Sequence, residues 1–393
     1  MDTIYDQYLM KVTPRPEVVM VRGSGSYLWD SNGKKYLDFI QGWAVNALGH
    51  APRELRDTLF DQSALLLTPS PAFHNAPQLK LAERLCKLSG LDQVHLSNSG
   101  AEANEVAVKL ARKWGKVRKN GAYEIITTHN AFHGRTLAMM AASGKPGWEN
   151  LFPPMSPGFR RVRFGDASAV AEAISTHTVA IMVEPIQGEA GVVLPPVDYL
   201  KTLRQLADDA GILLILDEIQ TGIGRTGTLF AYQDEAVLPD IVTLGKGLGA
   251  GFPISATLAK SDACRFEFGD QGGTFNGNPL GAAVANSVLD VLLNDGLLAN
   301  VTAMGRYLEA RLHGLADELG FPQVRGKGLL WAVELGSEIA VAAKNMAFER
   351  GLVVNAARPS VLRFMPSLRV TAAEIDEAAA LLGDCLASVM AAA

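Results

Sequence analysis

The sequence has few cysteines, little net charge and no long apolar run, and each shortage excludes a class of protein. The three cysteines, Cys86, Cys264 and Cys385, are far apart, and no Cys-x-x-Cys or paired-histidine spacing suggests a disulfide framework or a zinc site. We therefore expect no metal and a reducing compartment. The net charge of −5 gives no electrostatic basis for binding nucleic acid or an anionic membrane.

No targeting or membrane segment is visible either. The segment from Met1 to Asp6 is acidic and has no apolar signal core, and no apolar run approaches the length that crosses a bilayer. With 48% hydrophobic and 20% charged residues over 393 positions, the composition is that of a globular enzyme. These features predict a cytoplasmic protein with one large and one small domain.

Short apolar segments alternate with helical patterns from about residue 50 to residue 285, which predicts βαβ units and a largely parallel α/β sheet. The clearest predicted strands are Val94 to Ser97, Tyr123 to Thr127, Val179 to Val183, Ile212 to Leu216 and Ile241 to Leu244. Long helices and further strands follow. We predict an N-terminal segment (1–48) that packs with the small domain, a large domain (49–285) and a C-terminal small domain (286–393).

Lys246 and Asp217 are the most informative residues. Lys246 lies among glycines just after a predicted strand, and Asp217 directly follows another. A lysine that can form an imine and an aspartate that keeps a pyridine nitrogen protonated are what pyridoxal phosphate requires. A solvated lysine and a turn aspartate are the alternatives for each residue alone. A phosphate loop is excluded, because Gly247 stands where Ser or Thr is needed and Asp240 where the first glycine belongs.

Other candidate residues follow strands or lie in turns. Ser99, Gly100 and Ala101 precede a helical pattern, and a helix N-terminus can bind a phosphate, although a plain helix cap explains the same residues. Phe132 or His133 could stack on a cofactor ring. The other candidates are Arg135 for a carboxylate, Glu184 and Glu189 after a strand, Thr274 for a phosphate, and Arg363, whose place in an apolar strand calls for a carboxylate partner.

Two other enzyme classes are disfavoured. Residues 222–227 match the dinucleotide fingerprint, but they are separated from the preceding strand, and Asp240 precedes a strand rather than following one. A serine hydrolase would need a Gly-x-Ser-x-Gly elbow, which the chain lacks.

Taken together, the motifs resemble those of the class III aminotransferases, which are fold-type I pyridoxal-phosphate enzymes. The resemblance covers nearly the whole chain and is greatest to members that act on N-acetylornithine. Its motifs lie at residues 42–50, 98–104, 132–136, 184–189 and 217–222 and at Lys246. It implies a mostly parallel seven-stranded sheet flanked by helices, a smaller α+β domain, and a homodimer with its active site at the subunit interface.

The resemblance also implies a role for each candidate. Lys246 would bind the cofactor aldehyde and then move a proton. Asp217 would pair with the pyridine nitrogen, Gln220 would contact the ring hydroxyl and Phe132 would stack on the ring. Ser99, Gly100 and Ala101 would hold the phosphate, joined by Thr274 across the dimer interface, with Gly273 near the substrate. Arg135 would hold the distal carboxylate of the substrate, and Glu189 would neutralise Arg363 until glutamate binds.

The implied reaction is transfer of the δ-amino group of N-acetylornithine to 2-oxoglutarate, in arginine biosynthesis. Ornithine, 4-aminobutyrate or succinylornithine as the donor is the alternative within the class, and an inactive cofactor-binding scaffold is the alternative outside it. Trp43 and residues 67–73 depart from the pattern of many relatives, and both segments are expected near the substrate entrance.

Overall fold

The alternating segments form one seven-stranded sheet. Its strands, in spatial order, are Gln93–Ser97, Ser255–Ala259, Ile241–Leu244, Leu213–Asp217, Thr178–Val183, Glu124–Thr128 and Phe159–Val162. Ser255–Ala259 runs antiparallel to both neighbours, and the remaining pairs are parallel. The mostly parallel seven-stranded sheet is therefore confirmed, and the five strands predicted from apolar runs are present to within one residue at each end.

The computed structural model describes residues 8–392, so the acidic segment from Met1 to Asp6 lies outside the described residues. Helices cover the central sheet on both faces, which is why every residue of Thr178–Val183 is buried. The helices of this part of the chain are Arg53–Leu65, Ala76–Ser89, Gly100–Arg118, Leu137–Ser143, Ala167–Ala173, Tyr199–Ala210 and Pro279–Asn294.

The ends of the chain form two four-stranded sheets. One contains Met20–Ser24, Tyr27–Asp30, Lys35–Asp38 and Leu352–Val353, in that order. The other contains Gln323–Lys327, Leu330–Glu334, Val361–Phe364 and Asn355–Arg358. The helices Leu297–Leu319, Ala340–Glu349 and Ala372–Ala392 accompany them. The N-terminal strands therefore share a sheet with a strand from the C-terminal part of the chain.

The sequence pattern predicts a helix from Ala285 to Leu293, but the helix Pro279–Asn294 begins six residues earlier. The side chain of Asn278 caps its first turn, and Pro279 occupies a first-turn position where its missing N–H costs nothing. The helix crosses the predicted boundary at residue 285, and the division into domains stays a prediction.

Within residues 8–392, no single helix is long and apolar enough to cross a membrane. Pro279–Asn294 and Leu297–Leu319 meet that criterion only when taken together across a bend of 69°.

Candidate active site

Four side chains of interest follow neighbouring strands at one edge of the central sheet. Asp217 is the last residue of one strand, Lys246 comes two residues after the adjacent parallel strand, and the ladder pairs Asp217 with Thr243. Glu184 directly follows the strand on the other side, and Phe132 lies four residues beyond the next one. The carboxyl ends of parallel strands are where α/β sheets bind ligands, so the topology brings these residues to one place.

Lys246 lies in a constrained turn. Its φ is +40°, in the left-handed region, and the N–H of Leu248 donates to the carbonyl of Gly245 at 2.9 Å. Within residues 8–392, the Lys246 ammonium has no hydrogen bond and no ion pair closer than 4 Å. Burial lowers the pKa of Lys246, although Glu189 and other nearby carboxylates oppose the change. A lowered pKa makes the neutral amine, the nucleophilic form, easier to reach.

Asp217 is held by a buried hydrogen-bond network. Its Oδ2 accepts from Asn104 Nδ2 at 2.8 Å and lies 2.7 Å from His133 Nδ1, and its Oδ1 accepts from the N–H of Ile219 at 3.0 Å. Asn104 is fixed in turn, because its Oδ1 accepts from the hydroxyl of Thr243 at 2.7 Å. Burial alone would lower the pKa of His133, but the hydrogen bond and charge of Asp217 outweigh it and raise this pKa. The network fixes the position of the carboxylate.

A helix N-terminus faces the same edge. Ser99 caps the helix Gly100–Arg118 in a reciprocal capping box with Glu102. Among the described residues, the N–H groups of Gly100 and Ala101 have no partner, as expected of the first turn of a helix. A Cβ on Gly100 would lie 2.9 Å from two atoms of Ile219, so only glycine leaves the backbone accessible at this point. The turn can therefore bind an anion such as a phosphate.

These groups line a single cleft with a cavity volume of about 240 Å³. Its lining combines the catalytic candidates with apolar surface: Gly100, Ala101, Phe132, His133, Gly134, Arg135, Glu184, Ile186, Glu189, Asp217, Ile219, Gln220, Thr221 and Lys246. Two buried nitrogens, His133 Nε2 and Gln220 Nε2, have no hydrogen-bond partner in the described chain. Buried polar atoms without partners are rare, and at a cleft they indicate a ligand.

Arg363 is fully buried and paired with Glu189. Its Nη2 donates to Glu189 Oε1 at 2.7 Å, and its Nε donates to Asn355 Oδ1 at 2.9 Å. Burial alone would raise the pKa of Glu189, but the charges of Arg363 and Lys246, with the hydrogen bond from Arg363, lower it to about 2. The carboxylate partner expected for an arginine in an apolar strand is therefore Glu189. Glu189 lines the cleft and Arg363 does not.

Arg135 and Trp43 are more exposed. Arg135 lines the cleft, and its guanidinium lies 5.2 Å from the centre of the Trp148 ring. Trp43 is 47% exposed, and its ring centre lies 5.7 Å from the Arg363 guanidinium. Trp43 has a φ of +67°, within a short left-handed stretch around Gly42. Two cationic groups that suit carboxylates thus flank the cleft, one open and one covered.

Thr274 and Gly273 are not brought to this cleft within one chain. Thr274 is exposed and lines a separate small depression, together with residues 68–71 and Phe73. The divergent stretch at 67–73 therefore lies beside Thr274 rather than beside Lys246.

Three features of the site were not anticipated from the sequence. Asn104 and His133 both contact Asp217, although 113 and 84 residues separate them from it. Glu184 is buried, accepts from the N–H of Phe132, and has its pKa raised by burial to about 7. Lys145 approaches Glu189, at 3.7 Å between Nζ and Oε2. The sequence marked His133 as a stacking candidate and Glu184 as an acid after a strand, but no local pattern indicated these contacts.

The lysine, the fixed aspartate and the anion-binding turn are the groups that a pyridoxal-phosphate enzyme requires, and here they lie on an α/β fold. The Aminotransferase class-III family model matches residues 9–386. The chain is 50% identical over 384 residues to acetylornithine aminotransferase 2 of Bordetella bronchiseptica, covering 97% of each chain. The chain belongs to the class III aminotransferases, and the resemblance seen in its motifs is confirmed.

Solved structures agree with this family. The ornithine aminotransferase of Toxoplasma gondii ME49 has a TM-score of 0.95 at 34% identity, with 100% of this chain and 95% of that chain covered. The N-acetylornithine aminotransferase of Stenotrophomonas maltophilia K279a has a TM-score of 0.86 at 38% identity, with both chains fully covered. Class III aminotransferases depend on pyridoxal phosphate, so the chain is a pyridoxal-phosphate-dependent aminotransferase.

The residues present fit this cofactor. The unpartnered amide nitrogen of Gln220 is a free donor for a ring substituent, and the ring of Phe132 offers an apolar face in the cleft. The free N–H groups of Gly100 and Ala101 suit the phosphate, and the unpaired amino group of Lys246, in its neutral form, suits the aldehyde.

Proposed function

We propose that this enzyme transfers the δ-amino group of N-acetylornithine to 2-oxoglutarate, forming N-acetylglutamate 5-semialdehyde and glutamate in arginine biosynthesis. The single observation that carries the proposal is the ion pair between Arg363 and Glu189 beside an open Arg135. The names of the relatives in Bordetella bronchiseptica and Stenotrophomonas maltophilia support the same substrate.

The covered and the open arginine suit two substrates of different charge. N-acetylornithine reacts at its far amine, so its one carboxylate goes to Arg135 and nothing anionic reaches Arg363. Glutamate has a second carboxylate, next to its amine, which takes the place of Glu189 on Arg363. A buried arginine without a counter-ion would be costly, so Glu189 covers Arg363 whenever the substrate has no group for it.

Pyridoxal phosphate, when bound, supplies an electron sink for the bond that breaks beside the substrate nitrogen. Lys246 would hold the aldehyde carbon covalently, and its free Nζ would then carry a proton to and from the substrate carbon that bears the amine. Asp217, oriented by Asn104 and His133, would pair with the ring nitrogen. Gln220 would donate to the ring oxygen.

The remaining cofactor contacts surround the ring. Phe132 would stack on one of its faces. Ser99, Gly100 and Ala101 would hold the phosphate at the helix N-terminus, where backbone N–H groups and the helix dipole favour negative charge.

A second copy of the chain would complete the site. Thr274 and Gly273 lie away from the cleft of their own chain, on an exposed loop beside Phe275, whose ring is 61% exposed. In a homodimer this loop would reach the other cleft, with Thr274 at the phosphate and Gly273 near the substrate. The proposed enzyme works in the cytoplasm on soluble amino acids and 2-oxo acids.

A panel of amino donors tests the substrate. We expect N-acetylornithine to have the highest kcat/KM with 2-oxoglutarate as acceptor, compared with ornithine, 4-aminobutyrate and N-succinylornithine. Ornithine is the second candidate, because the Toxoplasma gondii ornithine aminotransferase superposes over the whole chain. N-acetylornithine as the poorest donor of the panel would refute the proposal.

A further inference from the structure

Glu189 lies between two cations rather than one. Its Oε1 accepts from Arg363 Nη2 at 2.7 Å, and its Oε2 lies 3.7 Å from Lys145 Nζ. The first contact is a charge-assisted hydrogen bond, and the second is slightly too long to be one. Within residues 8–392, no third cation lies within 4 Å of this carboxylate. Glu189 is thus held by Arg363 and is already within reach of Lys145.

Lys145 is not an ordinary solvated lysine. Its side chain is 17% exposed, and its ammonium lies 4.6 Å from the centre of the Phe132 ring and 5.3 Å from that of Trp148. Two aromatic faces around a partly buried ammonium stabilise it through cation–π attraction. Its carbonyl also accepts from the N–H of Trp148 at 3.2 Å, so the backbone that carries it is fixed. The ammonium is therefore held next to Glu189 by the fold.

The backbone around Glu189 is also fixed. Gln187 and Val193 exchange two hydrogen bonds of 3.0 Å on either side of its turn, and the N–H of Gly191 donates to the carbonyl of Gly188 at 3.2 Å. When a substrate carboxylate takes the place of Glu189 on Arg363, the turn cannot carry Glu189 away. Its side chain must rotate instead, and the released carboxylate needs a new counter-ion.

We propose that Lys145 is a positioning residue that receives the Glu189 carboxylate when a substrate carboxylate displaces it from Arg363. Lys145 then lowers the cost of binding glutamate and 2-oxoglutarate. Substrates without a carboxylate beside the reacting carbon bind while Glu189 stays paired with Arg363. It helps to set the preference between the two half-reactions. The inference rests on the proposed function, in which one cleft alternates between these two kinds of substrate.

Arg135 and Arg358 also lie near Lys145, and their positive charges help to lower its pKa. Lys145 could therefore attract the substrate carboxylate directly, as part of a positive patch. A double-mutant cycle with Glu189 separates the two roles, because only the proposed role requires the Glu189 carboxylate.

The test measures the two half-reactions of the holoenzyme separately, from the absorbance of the cofactor in single turnovers. In Lys145→Met, we expect the ratio of kcat/KM for glutamate to that for N-acetylornithine to fall roughly fivefold, the size expected of a partly buried ion pair. Lys145→Arg keeps the charge and should restore most of the ratio. Lys145→Gln serves as a second neutral variant if the methionine variant does not fold.

In a Glu189→Ala background, we expect Lys145→Met to change this ratio by less than about twofold, since no carboxylate remains to be received. A fivefold fall in both backgrounds, or no fall in either, would overturn the proposal. Calorimetric binding of glutarate, an unreactive dicarboxylate, gives a readout besides turnover, and its Kd should rise by the same factor in Lys145→Met.

The outcome is independent of the donor panel. If N-acetylornithine is not a donor, the proposed function fails, but 4-aminobutyrate can take its place in the ratio because it also has no carboxylate beside its amine. Glutamate turnover and glutarate binding then still decide the role of Lys145.

Discussion

Replacing Glu189 with glutamine removes the charge that covers Arg363 while it keeps the shape of the side chain. The pKa of Glu189 is lowered from 4.5 to about 2, and a tenfold change in proton affinity corresponds to about 1.4 kcal/mol. The net attraction between the carboxylate and its surroundings, after the opposing cost of burial, is therefore about 3 kcal/mol. Since Lys246 and Lys145 share in this attraction, we assign about half of it, about 1.5 kcal/mol, to the contact that glutamate must break.

In Glu189→Gln, glutamate binds without the free-energy cost of breaking the contact between Glu189 and Arg363. N-acetylornithine does not break that contact in either enzyme, so its binding should change little. We expect kcat/KM for glutamate to rise roughly tenfold relative to that for N-acetylornithine. Single-turnover measurements of both half-reactions at constant pH give the ratio directly.

Glu172→Gln is the matched control. It removes the same charge from the exposed surface of the helix Ala167–Ala173 and should leave the ratio unchanged. A ratio in Glu189→Gln that stays within twofold of the wild type, or that moves towards N-acetylornithine, would refute the view that Glu189 masks Arg363.

Three further changes probe the rest of the site. Lys246→Ala should slow both half-reactions by roughly 10³-fold or more, because it removes the group proposed to hold the cofactor and move the proton; near-normal single turnovers would contradict that role. Asn104→Ala removes a donor to Asp217 and should lower kcat roughly tenfold with little change in KM, which steady-state kinetics would show; an increase in KM alone would point to substrate binding instead. Wild type should lose stability as the pH rises from 4.5 to about 7, because the buried Glu184 carboxyl ionises over this range. In Glu184→Gln this loss of stability should disappear. The variant should gain up to about 3 kcal/mol over wild type between pH 4 and pH 8 in urea unfolding, and parallel pH profiles would be the contrary result.

The sheet and the residues at the ends of its strands could be predicted because their signals are local. A run of apolar residues marks a buried strand, and in a parallel sheet the residues at its end or just beyond it lie at the ligand edge, as Asp217 and Lys246 do. The helix cap at Ser99 is equally local, since its capping box spans the four residues from Ser99 to Glu102.

The neighbours of those residues could not be predicted, because they depend on how distant segments pack. Asn104 reaches Asp217 because its helix packs against the strand that ends in Asp217, and no pattern around position 104 indicates which strand the helix meets. In the sequence Lys145 looks like an ordinary loop lysine. The two rings around its ammonium belong to Phe132, which precedes the helix Leu137–Ser143, and to Trp148, which follows it. The start of the helix at Pro279 could have been predicted, because Asn-Pro is a local signal for a helix start. The prediction missed it because it followed the hydrophobic pattern instead.

Because Asp217 pairs with Thr243, the backbone of the sheet sets the spacing of the site residues at its edge. Adjacent strands lie about 4.8 Å apart whatever their side chains, so backbone hydrogen bonds alone set the offset between the aspartate and the lysine that follows Thr243. Glu189, Lys145 and Trp43 belong to turns that this ladder does not hold. The choice of substrate can therefore be altered by exchanging a few side chains at the mouth of the cleft, while the type of reaction is preserved by the backbone beneath it.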